Sequence, residues 1–446
     1  MTRDILASIV LTSLFFTGSL SSFGQPYYSL SKCISMVSTH NPQISQAKAA
    51  AQIAEITRKN SANAYIPSLS ISNQQNLSTG RVLDPTTYQF VSNRTVYDNS
   101  LSIGGSMTLF SAFERIRSIQ KAELYLQSAL LETERINNDL TLQVTALYLE
   151  LLLDKETISI WESKIAMLQK QEALIARKVE YDAATPGDLF GAQADIANAR
   201  VDLASAWNKL NLDKVSMCEL LSIYNWQEFD ISSDEEDYTE IEPRLWCEQD
   251  VVSAAFSLPQ IKQGELAIDM ARKDVAIALS SFWPTVKLNV GFGSTYSNAR
   301  TKAGEEYSFR DQMRDNTSSY ITLSLNIPIL SAISVSNTVR QKKLAVYKAE
   351  HELVQTKLSL DKRIKQAIVN ANASYEKYKI LATDVDKCIE ALRQTEDKYN
   401  AGAATYYDYQ VAVGNLYLAK VQRLQSKYEY IFRTKIIDFF CGVPIK

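Results

Sequence analysis

Very few residues of this 446-residue chain have the types and spacing that catalysis or metal binding requires. There are two histidines and five scattered cysteines, and neither a CxxC nor an HExxH motif occurs. One short pattern does recur, a threonine followed three residues later by an aspartate, as in Thr185 with Asp188 and Thr405 with Asp408. Such a pair suits the start of a helix, where the side chains satisfy free backbone N–H groups. We therefore predict no metal, no cofactor and no enzyme, but two capped helix starts.

The charges of the chain are balanced, which narrows the class of partner. There are 47 Lys plus Arg against 50 Asp plus Glu, a net charge of −3, whereas nucleic acids attract a basic surface. Apolar residues make up 46% and charged residues 22%, a composition that excludes an intrinsically disordered chain. We expect a folded protein without a nucleic-acid partner.

The N-terminal segment has the pattern of a secretory signal peptide. An apolar run over 5–16 precedes small residues, with cleavage expected after Gly24 or Gln25. The apolar run is shorter than the roughly 20 residues that a transmembrane helix needs. We therefore predict that residues 1–24 are a signal peptide and that the mature chain is exported.

The prolines of the mature chain indicate an internal duplication. Pro42 and Pro67 are each followed 217 residues later by another proline, Pro259 and Pro284, in similar sequence contexts. The two threonine–aspartate patterns are 220 residues apart. The prolines and these patterns therefore recur in the same order and at nearly the same interval. A fixed period of this kind indicates repeated structural units. The predicted units are residues 25–221 and 244–446, joined over 222–243 by an acidic linker of an equatorial region.

Each unit is predicted to contain a helix, two strands and a long helical hairpin. The strands alternate apolar with small polar residues, which indicates one apolar and one wet face. Two stretches of about 69 residues then lack both proline and glycine, and apolar residues recur there at coiled-coil spacing. The predicted strands are about 67–76 and 99–110, and about 284–296 and 319–330. The predicted hairpins are 112–221 with its tip at 181–188, and 332–437 with its tip at 399–408.

Four strands in one chain do not close a barrel, and open sheet edges are not tolerated in lipid. Because bacterial outer-membrane barrels begin at eight strands, we expect three copies to supply 12 strands to one barrel and 12 helical rods to a tunnel. The predicted fold class is therefore a mixed membrane α/β-barrel with internal duplication, embedded in outer-membrane lipid. The alternative is a structural coiled-coil surface protein or adhesin without a transport role.

Several short motifs occur in order, and twice over, as in a known family. They are the Asn-Pro and Leu-Pro helix starts at 41–42 and 258–259, the strand starts at 66–69 and 283–286, and Leu-Phe-Ser at 109–111. Two Tyr…Ala-Ala-Thr…Asp turns complete the set. Over essentially the whole mature chain these motifs resemble the outer membrane efflux protein (TolC) family.

The resemblance implies a homotrimeric, passive exit duct in the cell outer membrane that extends into the periplasm. It implies a 12-stranded barrel, a 12-helix periplasmic tunnel and a mixed equatorial region. It also implies two partners in multidrug efflux or type I secretion. An inner-membrane transporter of the resistance-nodulation-division or ABC type would energise export, and a periplasmic adaptor (membrane fusion) protein would join it to the duct.

The resemblance assigns roles to the hairpin tips as well. The second tip would form the periplasmic gate, with the family's acid and glycine at Asp408 and Gly402, and with Thr405 and Tyr406 beside them. The adaptor would dock on both tips. The residues assigned to docking are Tyr181, Thr185, Gly187, Asp188, Tyr399 and Ala403.

The second tip also departs from the family pattern. An arginine that some members carry shortly after the glycine is Ala403 or Ala404 here, and a second gate aspartate is Val411. A single ring of three Asp408 side chains would still favour cations at the constriction. Two alternatives stay open for the neighbouring tyrosines, an aromatic constriction or packing inside the coil. These tyrosines are Tyr406, Tyr407 and Tyr409.

The positions of the cysteines in the sequence do not determine whether they form disulfides. Cys218 and Cys441 lie at corresponding ends of the two units, as roughly do Cys33 and Cys247. Disulfides are compatible with an exported chain, although spacing alone assigns no pairs. Cys388 holds an apolar heptad position, where a buried thiol is expected.

Overall fold

The structure is a computed structural model that describes residues 27–83, 88–232, 241–302, 305–330 and 332–445. The predicted signal peptide, 1–24, and the acidic run 234–237 of the predicted linker lie outside the described residues. The chain divides into two compact units. One comprises the described parts of Met1–Ser45, Asn137–Ala255 and Lys362–Lys446, and the other those of Gln46–Ile136 and Phe256–Asp361.

Long helices account for most of the described chain. They are α1 (Leu30–His40), α2 (Pro42–Asn63), α3 (Glu114–Glu180), α4 (Pro186–Leu221), α5 (Glu248–Ala255), α6 (Pro259–Ser280), α7 (Phe309–Asp315), α8 (Ala332–Asn400) and α9 (Tyr406–Phe440). The strands are β1 (Tyr27–Tyr28), β2 (Ser68–Leu83), β3 (Phe90–Phe110), β4 (Asp230–Ile231), β5 (Thr285–Ser297), β6 (Thr301–Lys302), β7 (Glu305–Glu306) and β8 (Ser318–Asn326). Among the described residues, no helix combines the length and the apolar character needed to cross a membrane.

A proline divides each helical segment that precedes a strand pair. The sequence suggests single helices over about 30–64 and about 244–281, and the structure corrects both, because α2 begins at Pro42 and α6 at Pro259. The residue before each proline is extended, with ψ of 131° at Asn41 and 150° at Leu258. Proline disfavours helical geometry in the residue before it, so a helix ends there and a new one starts at the proline itself.

The first strand pair is longer than the sequence predicts. Strands were expected at about 67–76 and 99–110, whereas β2 runs to Leu83 and β3 begins at Phe90. The added length includes residues with low strand propensity, such as Gly80 and Asp98. Cross-strand pairing, which a single segment does not reveal, holds them in the sheet. In the second pair β5 matches the predicted 284–296 closely, and β8 ends at Asn326, before the predicted 330.

The larger sheet is antiparallel, in the order β2-β3-β5-β8, and its two faces differ in chemistry. Leu69, Gly105, Val290 and Ile321 stand opposite one another across the four strands and share one face. That face is apolar and exposed, with Ile321 79% accessible. The other face carries mostly serine, threonine, asparagine and glycine. Within the described chain β2 and β8 each have one neighbour, so both edges of the sheet are open.

Candidate functional site

The first hairpin turn joins α3 to α4 with a left-handed residue. The N–H of Asp182 donates to the carbonyl of Val179 (3.1 Å), and the N–H of Ala183 donates to the carbonyl of Lys178 (2.7 Å). This pair of bonds is a Schellman motif, in which the residue just after the helix has a positive φ. Asp182 occupies that position with φ of 56°. The turn therefore satisfies the last carbonyls of α3 at some steric cost to a residue that has a Cβ.

The second turn joins α8 to α9 by the same geometry with a better-suited residue. The N–H of Gly402 donates to the carbonyl of Tyr399 (3.1 Å), and the N–H of Ala403 donates to that of Lys398 (2.8 Å). Gly402 takes the left-handed position with φ of 75°, and nothing lies within 4 Å of where a Cβ would stand. Its role is thus conformational freedom, since the space around it is open.

Both returning helices begin with a reciprocal capping box. Thr185 and Thr405 accept the N–H of the aspartate three residues later, at 3.2 Å in each turn. The carboxylates of Asp188 and Asp408 accept the N–H of the capping threonine in return, at 3.0 and 2.9 Å. The prediction that both pairs start helices is therefore confirmed. The bonds from the hydroxyl and the N–H of Thr405 lower the pKa of Asp408, so this exposed carboxylate is charged at neutral pH.

Three tyrosines cluster beneath the second turn. The ring centroids of Tyr399, Tyr406 and Tyr409 are separated by 5.8 to 6.3 Å, and the ammonium group of Lys178 lies 4.7 Å from the Tyr399 centroid. Tyr406 and Tyr409 belong to a buried apolar cluster that also includes Ile175 of α3. The cluster draws residues from all four long helices, so the two hairpins share one core near their turns.

A buried acid joins the two hairpins at this cluster. The hydroxyl of Tyr406 donates to Oδ2 of Asp195 in α4 (2.7 Å), and Nε2 of Gln410 donates to Oδ1. Asp195 is only 8% accessible. Gly191, one turn earlier in α4, makes room for the ring, since a Cβ there would stand 3.3 Å from Tyr406 Cε1. We call Asp195, Tyr406 and Gln410 the tip latch.

The latch donors keep their protons throughout the physiological pH range. Burial raises the pKa of Tyr406 far above its usual range. The hydrogen bond that the hydroxyl donates to Asp195 raises this pKa further. Tyr409 lies beside the latch without belonging to it, and burial raises its pKa to about 12. A buried hydrogen bond to a carboxylate is among the stronger kinds in proteins, so the latch opposes separation of α4 from α9.

The structure separates the predicted tip residues by exposure. Tyr406, predicted to stand at the gate, has its side chain inside the hairpin core, whereas Tyr407 is 70% accessible. For Tyr406 and Tyr409 the two alternatives left open by the sequence are decided in favour of packing. Asp188 and Tyr399 are half-buried. The exposed ones are Tyr181, Thr185, Gly187, Gly402, Ala403, Thr405 and Asp408.

Sequence reasoning missed the α4 side of the latch. Asp195 lies three residues after Ala192 and four before Ala199, so it falls on the apolar stripe of α4. An acid on a buried stripe needs a partner, and this was the available signal. Among the described residues, no group of three or more His, Cys, Asp or Glu side chains could hold a metal ion.

Comparison with known proteins agrees with this architecture. Residues 252–432 match the family model for outer membrane efflux proteins. The outer membrane protein TolC of Vibrio cholerae serotype O1 is 22% identical over 325 residues, which cover 70% of this chain and 70% of that protein. Residues 252–432 of this chain are an outer membrane efflux protein domain.

Two solved structures show the fold that this outer membrane efflux protein shares. CusC superposes with a TM-score of 0.78 at 15% identity, covering 93% of this chain and 92% of that one. The outer membrane protein VceC of Vibrio cholerae superposes with a TM-score of 0.76, also at 15% identity, over 93% and 96% of the two chains. This efflux protein is located in the outer membrane and extends into the periplasm. Its family favours an efflux role over that of a coiled-coil adhesin.

Proposed function

We propose that this protein is the passive outer-membrane exit duct of a tripartite efflux or type I secretion system. The observation that carries the proposal is the four-stranded sheet, which exposes an apolar face and leaves both edges open in a chain of the efflux family. A water-soluble protein would bury such a face, and a coiled-coil adhesin has no use for it. A duct needs both the face for lipid and the edges for closure.

Three copies would close the sheet into a barrel. Pairing β8 of one copy with β2 of the next satisfies both open edges and gives 12 strands, within the range of outer-membrane barrels. The apolar face of β5 runs from Val286 to Tyr296, which at the usual strand tilt spans roughly 25 Å, the height of an outer-membrane apolar band. Tyr97 and Tyr296 lie side by side at one end, with centroids 6.4 Å apart, as in an aromatic girdle.

The gate of the duct would lie at the second hairpin turn. Three copies would place three exposed Asp408 carboxylates around one axis, beside Thr405 and Gly402, and such a ring favours cations. Tyr406 would act from inside each chain, because its bond to Asp195 holds the second hairpin against the first. Opening the gate would then require breaking the tip latch in each copy.

The exposed residues of both turns would dock a periplasmic adaptor, and an inner-membrane transporter would supply the energy. Tyr181 is the most prominent, because its aromatic side chain is 82% accessible at the end of the first hairpin. Exposed aromatic side chains are frequent anchors of protein interfaces. The half-buried Asp188 and Tyr399, together with Thr185, Gly187 and Ala403, complete the predicted docking set. The duct itself would catalyse no reaction.

Deletion of the gene tests the proposed function. We expect the deletion strain to become more susceptible to dyes, detergents and hydrophobic antibiotics, or to lose a secreted protein, and plasmid-borne wild type to restore the phenotype. A strain without paralogous ducts is needed, because a second duct would mask the loss. Unchanged susceptibility together with unchanged secretion in that strain would count against the duct.

Charge removal tests the gate separately. Asp408→Asn should reduce cation preference and block by multivalent cations in planar bilayers, because it removes the ring of charge. Asp188→Asn is the matched control, since Asp188 makes the same capping box in the first turn. Unaltered block in Asp408→Asn, or equal loss in both variants, would show that Asp408 does not line the aperture.

A further inference from the structure

Four of the five cysteines lie at two corresponding places, where an early helix meets the last helix of a predicted repeat. Cys33 is in α1, and α1 packs along the end of α4, which carries Cys218. Cys247 directly precedes α5, and α5 packs along α9, whose last turn is followed by Cys441. The start and the end of each predicted repeat are thus in contact, and each contact has a cysteine on both sides.

The first pair lies in a well-ordered helix contact. Nδ2 of Asn41, just after α1, donates to the carbonyl of Leu220 (2.9 Å), and the hydroxyl of Ser222 donates to the carbonyl of His40 (3.4 Å). These bonds fix the end of α1 beside the end of α4. The helices therefore cannot slide past each other without losing them.

Within that contact the two thiols are buried neighbours. Cys33 is 0% and Cys218 is 2% accessible. Burial raises the pKa of Cys33 to about 12, and Cys218 is close enough to add to this shift. Burial likewise raises the pKa of Cys218 to about 11. As long as they are reduced, both cysteines are therefore protonated in the folded chain, and little thiolate is present to react once the helices have packed.

The second pair lies in an exposed contact that several bonds hold in place. Arg244, three residues before Cys247, forms an ion pair with Asp438, three residues before Cys441, at 3.0 Å. Asp250, three residues after Cys247, donates its N–H to the carbonyl of Cys247 (3.1 Å) and is close enough to act on the Cys441 thiol. Residues on both sides of Cys247 thus reach the end of α9.

We propose that Cys33–Cys218 and Cys247–Cys441 are two intramolecular disulfides that tie the start of each repeat to its end. The structure carries all five cysteines as thiols, so these bonds are an inference from placement. The periplasm is an oxidising compartment, in which neighbouring cysteines of a folded protein are expected to pair. Cys388 is half-buried against the apolar cluster near the hairpin turns, not fully buried as the sequence predicts; it has no such neighbour among the described cysteines and stays a thiol.

The oxidation balances by thiol–disulfide exchange with a periplasmic disulfide oxidant. One cysteine thiolate attacks the disulfide of the oxidant, and the second thiolate then displaces the oxidant from the mixed disulfide. Each pair loses two protons and two electrons, and the oxidant is reduced to two thiols. Because Cys33 and Cys218 are buried once packing is complete, their bond forms as α1 docks on α4, before the contact closes over the sulfurs, whereas the exposed pair can close later.

Non-reducing peptide mapping of the protein purified from outer membranes tests the pairing. Free thiols are alkylated in denaturant before trypsin digestion. We expect cross-linked peptides 33–48 with 215–244 and 245–262 with 436–446, each of which contains one cysteine, and alkylation of Cys388 alone. Five alkylated cysteines, or any other pairing of these peptides, would overturn the proposal.

Single variants and selective reduction sharpen the test. Cys33→Ser should expose one additional alkylatable thiol, Cys218, whereas the control Cys388→Ser should leave none. In the native state a mild reductant should open Cys247–Cys441 first, with Cys33–Cys218 opening only in denaturant. Full reduction should lower the thermal unfolding midpoint by on the order of 10 °C, since both bonds close long loops. The reverse order of opening, or an unchanged midpoint, would contradict the assigned positions.

Discussion

The two hairpin turns share the Schellman motif and the capping box, but they differ at the first residue of the returning helix. In the first turn this residue is Pro186, which is exposed and has no N–H to satisfy. In the second it is Tyr406, whose ring is buried against Gly191 and whose hydroxyl is bonded to Asp195. In the part of the chain that the structure describes, the first residue of α4 therefore makes no bond to the other hairpin, whereas the first residue of α9 fastens one hairpin to the other. The residue at the first helical position thus distinguishes the candidate gate from the first turn.

The largest expected effect comes from removing the ring that distinguishes the second turn. Tyr406→Ala should reduce the free energy of local unfolding by about 3–5 kcal/mol, because a buried aromatic side chain leaves a cavity. Pro186→Ala at the corresponding position of the first turn should cost about 0.5 kcal/mol or less. Hydrogen exchange of the amides in α9 and α4, followed by mass spectrometry, measures both. Similar losses in the two variants would remove the contrast between the turns.

Removing only the hydroxyl isolates the latch bond from packing. Tyr406→Phe should cost about 1.5–3 kcal/mol, because a hydrogen bond to a buried carboxylate is lost. If the latch holds the gate closed, the same variant should also raise single-channel conductance in planar bilayers. Tyr407→Phe is the control, since the neighbouring tyrosine is exposed. If the conductance of Tyr406→Phe equals that of wild type, the latch does not hold the gate closed.

Loss of the caps should affect both turns alike. Thr185→Ala and Thr405→Ala should each cost about 1 kcal/mol, since each removes the acceptor for the N–H of the aspartate three residues later. Thr→Ser at either position should recover most of that loss. Exchange rates at the amides of Asp188 and Asp408 report the two caps individually. A much greater cost at Thr405 would mean that its cap and the latch are coupled.

The smallest effects are expected at the left-handed residues, and they should have opposite signs. Gly402→Ala should destabilise the second turn by about 1 kcal/mol, whereas Asp182→Gly should stabilise the first by about 0.5 kcal/mol. The thermal unfolding midpoints of the two variants, measured side by side, test this. Changes of the same sign would show that the φ values do not dominate the energetics of these positions.

Local patterns in the sequence predicted the caps, but not the latch. A threonine and an aspartate three residues apart interact within one helical turn, so Thr405 and Asp408 can be paired without knowledge of the fold. Asp195 and Tyr406 are 211 residues apart, and only the packing of α4 against α9 brings them together. The sequence marks Asp195 as an acid on an apolar stripe but does not identify its partner.

The same distinction explains the errors in the helices and strands. The breaks at Asn41 and Leu258 follow from the next residue being proline; the motifs at 41–42 and 258–259 marked the helix starts, but the rule was not applied to end the preceding helix there. The extension of β2 and β3 through polar residues could not, because register and cross-strand pairing depend on the partner strand. Alternation along β5 was enough to predict where this strand begins and ends, since apolar residues occupy every second position from Val286 to Phe292.

The open edges of β2 and β8 have a consequence for biogenesis. A single copy delivered to the membrane presents unsatisfied N–H and C=O groups along both edges, which hydrocarbon does not tolerate. In the proposed duct, insertion of this sheet would therefore be coupled to its assembly with other copies, and its rate would rise more steeply than linearly with protein concentration. In that assembly the same edges would be sites for mispairing until the last copy had paired, so a periplasmic chaperone would be needed most at this step of biogenesis.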